Sequence, residues 1–140
     1  MVETKITKSR ERSDCVVRAI SSATGLSYDW AYTFCLKELK RKPNCGVRKN
    51  FLRMGIGRLN NFGLTVTPKI GLMSIKPGSG DKPGSMTVNK VLKTYPTGTY
   101  LAVSRNHMFV IKDGVIIGNK SDGTRLRVQV KDLWKIEKKC

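Results

Sequence analysis

The sequence predicts an α+β fold in which an N-terminal helical half packs on a C-terminal antiparallel β-sheet half. Apolar residues recur at helical spacing through residues 1–62, whereas residues 63–140 carry short runs of β-branched and aromatic residues separated by turn residues. The 140 residues contain no internal repeat and no linker that separates two folding units. We therefore expect a single domain over residues 1–140, with its second half mainly β.

The helical half shows clear signals for the ends of its helices. Ser13 or Asp14 can cap a first helix that Gly25 stops, and Ser27 can cap a second helix. A third apolar pattern is interrupted by two glycines, which weaken a helix. The expected helices cover about 15–24, 28–39 and 47–61.

The second half is expected to form mostly strands. Thr87 can cap one short helix, and a turn-rich loop covers residues 76–85. Trp134 and Ile136 either extend the sheet or cover it. The expected strands cover about 64–67, 99–104, 108–111, 115–119 and 126–130.

The chain is strongly basic, with 27 Lys and Arg against 10 Asp and Glu and a net charge of +17. Such a charge predicts attraction to acidic proteins, nucleic acid or anionic surfaces without choosing among them. No phosphate-binding loop and no aromatic RNA-binding motif singles out nucleic acid. The residues expected to contact an acidic partner or nucleic acid are Lys40, Arg41, Lys42, Arg48, Lys49 and Arg53.

The four cysteines do not suggest a metal site or a disulfide framework. Cys15, Cys35, Cys45 and Cys140 form no Cys-x-x-Cys pair, and the chain has one histidine. We therefore expect no metal and no cofactor. No apolar run approaches the roughly 18 residues that a membrane span needs, and the N-terminus lacks the apolar stretch of a secretory signal. A monomeric cytoplasmic protein is expected.

Cys15 and His107 are the most informative pair in the sequence. Cys15 stands at the start of the first predicted helix, and His107 immediately precedes a predicted strand far downstream. A helix start lowers the pKa of a thiol, and a histidine that reaches it can act as its base. The pair therefore predicts a thiolate nucleophile with an imidazole partner.

The hairpin around Asp113 bears on which residue orients the histidine. A three-residue loop ending at Gly114 pairs His107 with Asn119, whose side chain then holds the imidazole. A two-residue loop shifts the register by one and puts the two residues on opposite faces. Asp122 is the alternative third residue.

The chain resembles the papain-like cysteine peptidases, especially the short forms found in bacteriophage and bacterial genomes. Three segments carry the resemblance, in the order nucleophile helix, strand leading to the histidine, and histidine hairpin. They are Asp14–Ile20 with Gly25–Tyr28, Pro96–Val103, and His107–Val115. Ser9 stands about where these enzymes usually have a glutamine that completes the oxyanion hole.

The resemblance implies a Cys–His–Asn/Asp site between a helical half and a sheet half, with Cys15, His107 and either Asn119 or Asp122 as its members. The expected activity is hydrolysis of an amide or thioester bond in an acidic protein, in the host cytoplasm if the chain is viral. The alternative is a basic protein that uses the same fold without turnover and binds nucleic acid or an acidic host protein.

Overall fold

Four helices and two sheets make up the fold over the residues that the computed structural model describes, which are 4–6, 10, 12–80, 84–105, 107–118 and 126–139. The helices are α1 (Cys15–Thr24), α2 (Tyr28–Glu38), α3 (Lys49–Gly55) and α4 (Val88–Thr94), with 3₁₀ turns at Ile56–Phe62 and Leu72–Ser74. The strands are β1 (Thr4–Ile6), β2 (Leu64–Ile70), β3 (Met86–Thr87), β4 (Thr99–Val103), β5 (Met108–Lys112), β6 (Val115–Gly118), β7 (Gln129–Val130) and β8 (Asp132–Lys138). No described helix is both long enough and apolar enough to cross a membrane.

The main sheet has the strand order β1-β6-β5-β4-β8-β2, and β3 pairs with β7 in a second small sheet. The five strands from β6 to β2 are antiparallel to their neighbours, while β1 is parallel to β6. The predicted α+β class with an antiparallel sheet is confirmed.

The main sheet is covered on both faces. Leu101 and Val103 of β4 face a core that includes residues of α1, α2 and α3. Tyr100 and Ala102 face the opposite core, to which α4 and the β3–β7 pair contribute. The helical half therefore covers only one face of the main sheet. The other face is covered by α4 and the β3–β7 pair, which come from the β half. Both faces need a cover because the strands are apolar on both sides.

Four strands differ from the prediction, namely β1, β3, β7 and β8. No strand was expected at Met86–Thr87, which form β3. Residues 4–6 form β1, although they lie in the half expected to be helical, and a run of three residues is too short to be identified as a strand from its pattern. The strand expected at 126–130 is limited to β7, whereas β8 lies centrally between β4 and β2. Trp134 and Ile136 therefore extend the sheet, and the alternation of apolar and charged residues over 134–137 is consistent with a strand.

The predicted C-terminal end of the first helix and the predicted N-cap of the second helix are confirmed. Gly25 ends α1 with a φ of 75°, and Ser27 caps α2 by accepting a hydrogen bond from the backbone N–H of Trp30 at 3.1 Å. The third helix is shorter than expected and continues as a 3₁₀ turn. Gly55 lies against the carbonyl of Glu38, and an added Cβ would come within 2.5 Å of that oxygen.

The histidine hairpin has the two-residue loop. Lys112 pairs with Val115 across Asp113 and Gly114, which both have positive φ, 49° and 80°. Positive φ at both positions is the geometry of a type I′ turn, which matches the twist of the strands. The three-residue loop that would pair Ile111 with Val115 is therefore not formed.

Candidate active site

Cys15 is the first residue of α1 and lies where that helix packs on β5. Its side chain is half-buried, while Val16 and Val17 beside it are buried in the core. The sequence produces this placement because the apolar stripe of α1 must face the sheet. Burial of that stripe fixes the end of the helix, and the thiol with it, near the start of β5.

His107 is held by the tight connection between β4 and β5. The backbone N–H of Ser104 donates to the carbonyl oxygen of His107 at 2.8 Å, and the Ser104 hydroxyl donates to the same oxygen at 3.3 Å. The imidazole lies nearly parallel to the Phe109 ring, with ring centroids 6.0 Å apart. The position of His107 is therefore set by the end of the strand pair.

The structure brings Cys15 and His107 into contact. Burial raises the pKa of the Cys15 thiol, but a side-chain hydrogen bond with His107 and a backbone hydrogen bond with Met108 lower it. The positive charges of His107 and Arg18 act in the same direction, and the net result is a pKa below the ordinary value of 9.0. Hydrogen bonds and positive charge favour the thiolate, the reactive form of cysteine.

Cys35 has the opposite environment. Burial raises the pKa of its thiol to about 12, so Cys35 stays protonated at neutral pH. Cys45 is exposed in the loop before α3. Cys15 is thus distinguished from the other described thiols by its contact with His107. Within the described ranges, no group of His, Cys, Asp and Glu side chains could hold a metal ion.

A buried acidic residue lies directly before the nucleophile. Asp14 accepts hydrogen bonds from Nε of Arg18 at 2.8 Å, from the Tyr28 hydroxyl at 2.9 Å and from the backbone N–H of Arg10 at 2.9 Å. Its side chain makes no capping bond to α1, although the sequence predicted a cap from Ser13 or Asp14. The Asp14 carboxylate instead holds Arg18 beside the thiol.

Arg18 is a site residue that the sequence analysis missed. It lines a narrow recess together with Cys15 and His107, and its side chain is largely buried. Its spacing of four from Asp14 is the signal that would have found it, because an acidic and a basic residue four apart on a helix meet.

A cavity of about 430 Å³ opens beside the thiol. This volume is within the range of small-ligand sites. Cys15 and His107 lie in its wall together with residues of α1, α3, β4, β5 and the loop before α3. The lining residues are Cys15, Val16, Gly46, Val47, Arg48, Lys49, Leu52, Val103, His107 and Met108.

The six basic residues expected to bind a partner have different surroundings. Arg41 is buried against the Tyr32 ring, with 5.2 Å from guanidinium carbon to ring centroid, and Arg53 donates two hydrogen bonds to Asp132. Their charges are used within the fold, which corrects their assignment to an open binding surface. Lys40, Lys42 and Arg48 are exposed, and Lys49 is half-buried.

Neither predicted orienting residue can be placed. Asn119 and Asp122 lie outside the described residues, as does Ser9. The hairpin has the two-residue loop, for which the sequence analysis expected His107 and Asn119 on opposite faces of the sheet. The geometric argument for Asn119 is thereby removed.

No protein-family model matches the chain, and no curated protein or solved structure matches it at a significant level. A function for this chain therefore has to be inferred from Cys15, His107 and the cavity beside them.

Proposed function

We propose that this protein is a papain-like cysteine hydrolase that cleaves amide or thioester bonds. The observation that carries the proposal is the contact of Cys15 with His107, which lowers the pKa of the thiol despite its burial. Burial without such a partner raises the pKa of a thiol, as it does for the buried Cys35. The cavity gives a carbonyl group access to the sulfur.

The reaction follows from these two groups. The Cys15 thiolate attacks the substrate carbonyl carbon, and the tetrahedral intermediate collapses to an acyl-enzyme as the bond to the leaving group breaks. His107, as imidazolium, protonates the leaving amine. In the second half, neutral His107 takes a proton from water as the oxygen attacks the acyl carbon, and the thiolate is released. No oxidant, reductant or metal takes part.

The N-terminus of α1 supports the oxyanion in this mechanism. The first N–H groups of a helix have no partner within the helix, and Asp14 does not cap them with its side chain. The backbone N–H of Cys15 is the nearest such donor to the reacting carbonyl. Loss of one oxyanion donor typically costs about 3 kcal/mol of transition-state stabilisation.

The arrangement of elements supports the papain-like assignment. A nucleophile at the start of a helix packs against an antiparallel sheet, and the histidine stands at the start of a strand of that sheet. This is the order that the resemblance of Asp14–Ile20 and His107–Val115 implies.

The test is cleavage of a diverse peptide library, with products identified by mass spectrometry. Wild type is expected to cleave, and Cys15→Ala and His107→Ala are expected to lose at least about a thousandfold in rate, because the nucleophile and base act as a unit. Cys45→Ala is the matched control, since Cys45 is an exposed thiol outside the cavity lining. Cleavage that survives in Cys15→Ala would overturn the proposal.

Nucleic-acid binding without turnover is a second candidate, favoured by the net charge of +17. Exposed residues such as Lys40, Lys42 and Arg48 are available for phosphate contacts. This function predicts affinity for duplex DNA that falls steeply with salt and is the same in Cys15→Ala. Absence of salt-dependent binding at 50 mM salt would remove the candidate.

A further inference from the structure

We propose that the cavity beside Cys15 accepts a peptide segment in which an apolar side chain is adjacent to an acidic one, with Arg48 and Lys49 facing the acidic group. This inference rests on the proposed hydrolase function and names its substrate class. It depends on three features of the cavity, which are its apolar wall, its two cations and the absence of carboxylates among its described lining residues.

The wall of the cavity is apolar where it approaches the sulfur. Val16, Leu52, Val103 and Met108 are buried side chains that line it, and Val47 is half-buried. An apolar substrate side chain that enters this space removes its surface and that of the wall from water, at about 25 cal/mol per Å². A strongly hydrated chain without apolar groups, such as a nucleic-acid backbone, gains nothing from this wall.

Two cationic side chains, those of Arg48 and Lys49, line the same cavity. Arg48 is exposed and Lys49 is half-buried at the start of α3, and both line the space that Cys15 opens into. The ion pairs described in the structure involve Arg18, Arg53, Arg58 and Lys135, so neither Arg48 nor Lys49 is neutralised by a described carboxylate.

The lining contains no acidic residue among the described parts of the chain. Arg53, four residues beyond Lys49, is instead held by Asp132, so α3 and the residue that precedes it carry one neutralised cation and two that line the cavity. A substrate carboxylate is the complement of this arrangement. A cavity that accepts one carboxylate beside one apolar group suits an acidic peptide better than it suits a polyphosphate chain.

The first measurement uses the reactivity of Cys15 and needs no turnover. Iodoacetate is anionic and iodoacetamide is neutral, so the ratio of their alkylation rates at Cys15 reports the local potential. The double substitution Arg48→Glu with Lys49→Glu is expected to lower this ratio about tenfold at an ionic strength of about 0.1 M, where the Debye length is about 10 Å, because two positive charges near the thiol become negative. Glutamate is tolerated in the first turn of a helix, so α3 should remain folded.

The matched control is Lys90→Glu with Lys93→Glu, which makes the same change in net charge on exposed positions of α4, across the sheet from Cys15. This variant is expected to keep the wild-type ratio within about twofold, since charges beyond a Debye length are screened. An equal fall in both variants would show an effect of net charge alone and would overturn the inference.

The second measurement is cleavage of three matched peptides that differ in one residue, Asp, Asn or Lys, beside a common Leu. Wild type is expected to prefer Asp over Lys at least tenfold in kcat/KM, and Arg48→Gln with Lys49→Gln is expected to bring the Asp-to-Lys ratio of kcat/KM close to one. The glutamine pair also guards against a folding defect of the glutamate pair.

The failures are distinguishable. Slow alkylation of Cys15 by iodoacetamide that does not depend on His107 would overturn the proposed hydrolase function. A second outcome is normal, His107-dependent alkylation with no Asp preference and with the same ratio of iodoacetate to iodoacetamide rates in the glutamate variant as in wild type. It would overturn only the inference of an acidic substrate segment. Protection of Cys15 by duplex DNA but not by the acidic peptide would assign the cavity to nucleic acid and overturn the inference.

Discussion

At the scale of single residues, the ionisation of Cys15 is decided by groups that lie far away in the sequence. Burial alone would keep the thiol protonated, and the hydrogen bonds with His107 and Met108 reverse this. The same helical half contains Cys35, whose pKa of about 12 shows the outcome without a cationic contact at bonding distance. Reactivity is thus a property of the contact and not of the residue type.

The first prediction concerns the pH dependence of Cys15 alkylation. Because the pKa of Cys15 is lowered, its iodoacetamide rate should rise with pH and reach half its plateau below pH 9.0. In His107→Ala the burial remains while the hydrogen bond and charge are lost, so the midpoint should move upward. Site-resolved mass spectrometry measures this, with Cys35 as the internal thiol that remains unlabelled. An identical midpoint in both proteins would contradict the assigned contact.

The second prediction concerns Arg18, which contributes positive charge to the Cys15 environment and is positioned by Asp14. Arg18→Gln is expected to raise the pKa of Cys15 and to destabilise the fold by about 3 kcal/mol, because the buried Asp14 carboxylate loses its ion-pair partner. Arg18→Lys keeps the charge and should retain the lowered pKa. The alkylation profile separates this electrostatic role from a structural one, which would not move the midpoint.

At the scale of elements, the position of α3 is set by two contacts near its C-terminal end. Gly55 lets the C-terminal end of α3 approach α2, and Arg53 ties α3 to β8 through Asp132. Leu52, directly before Arg53 in the chain, lines the cavity beside Cys15. The shape of the cavity therefore depends on contacts that lie outside it.

The third prediction compares two glycines near this junction. In Gly55→Ala the added Cβ meets the carbonyl oxygen of Glu38 at 2.5 Å, so we expect a loss of about 2 kcal/mol in the free energy of unfolding. Gly57→Ala meets nothing within 4 Å and should be neutral or stabilising by up to about 1 kcal/mol. Urea denaturation of the two variants measures both values, and equal losses would show that the close approach is not the cause.

The fourth prediction concerns the ion pair between α3 and β8. Asp132 is buried and Arg53 is a quarter exposed. Asp132→Asn leaves the guanidinium without its carboxylate and should lower the free energy of unfolding by about 3 kcal/mol. Because loss of the ion pair should displace α3, whose residues line the cavity, we also expect KM to rise more than kcat falls. The variant changes the cavity and leaves Cys15 in place. Asp113→Asn, at the exposed hairpin turn, is a matched acid-to-amide control.

At the scale of the whole molecule, the main sheet connects two cores. Val110 faces the core of the first three helices, and Ile111 faces the core that contains α4 residues. Adjacent residues of one strand therefore belong to different cores. The two cores should unfold together, because neither can lose its packing while the shared strands remain intact.

The fifth prediction tests this shared unfolding. Ile111→Ala and Val110→Ala should each lower the free energy of unfolding by about 2 to 4 kcal/mol. Both variants should retain a single transition in which tryptophan emission and far-UV circular dichroism coincide. Non-coincident transitions in Ile111→Ala alone would show that the α4 side unfolds separately.

The sequence by itself predicted the elements whose signals are local. The end of α1 at Gly25, the capping of α2 by Ser27 and of α4 by Thr87, and most strand positions follow from caps, glycines and apolar periodicity. The nomination of Cys15 and His107 likewise came from residue type and element position, and their contact in the structure agrees with it. The helix ends and strand positions depend on interactions within a few residues of the chain, whereas the contact of Cys15 with His107 joins residues that are distant in the sequence.

Tertiary structure decided the features that depend on partners distant in the sequence. The pairing of β1 with β6, the central place of β8 and the two-residue hairpin loop all result from strand pairing, to which local patterns contribute little. Arg41 and Arg53 look like surface cations in the sequence, but packing buries Arg41 against the half-buried Tyr32 ring and pairs Arg53 with the Asp132 carboxylate. Whether a charge faces solvent or a partner is set by which elements meet, and only the folded chain determines that.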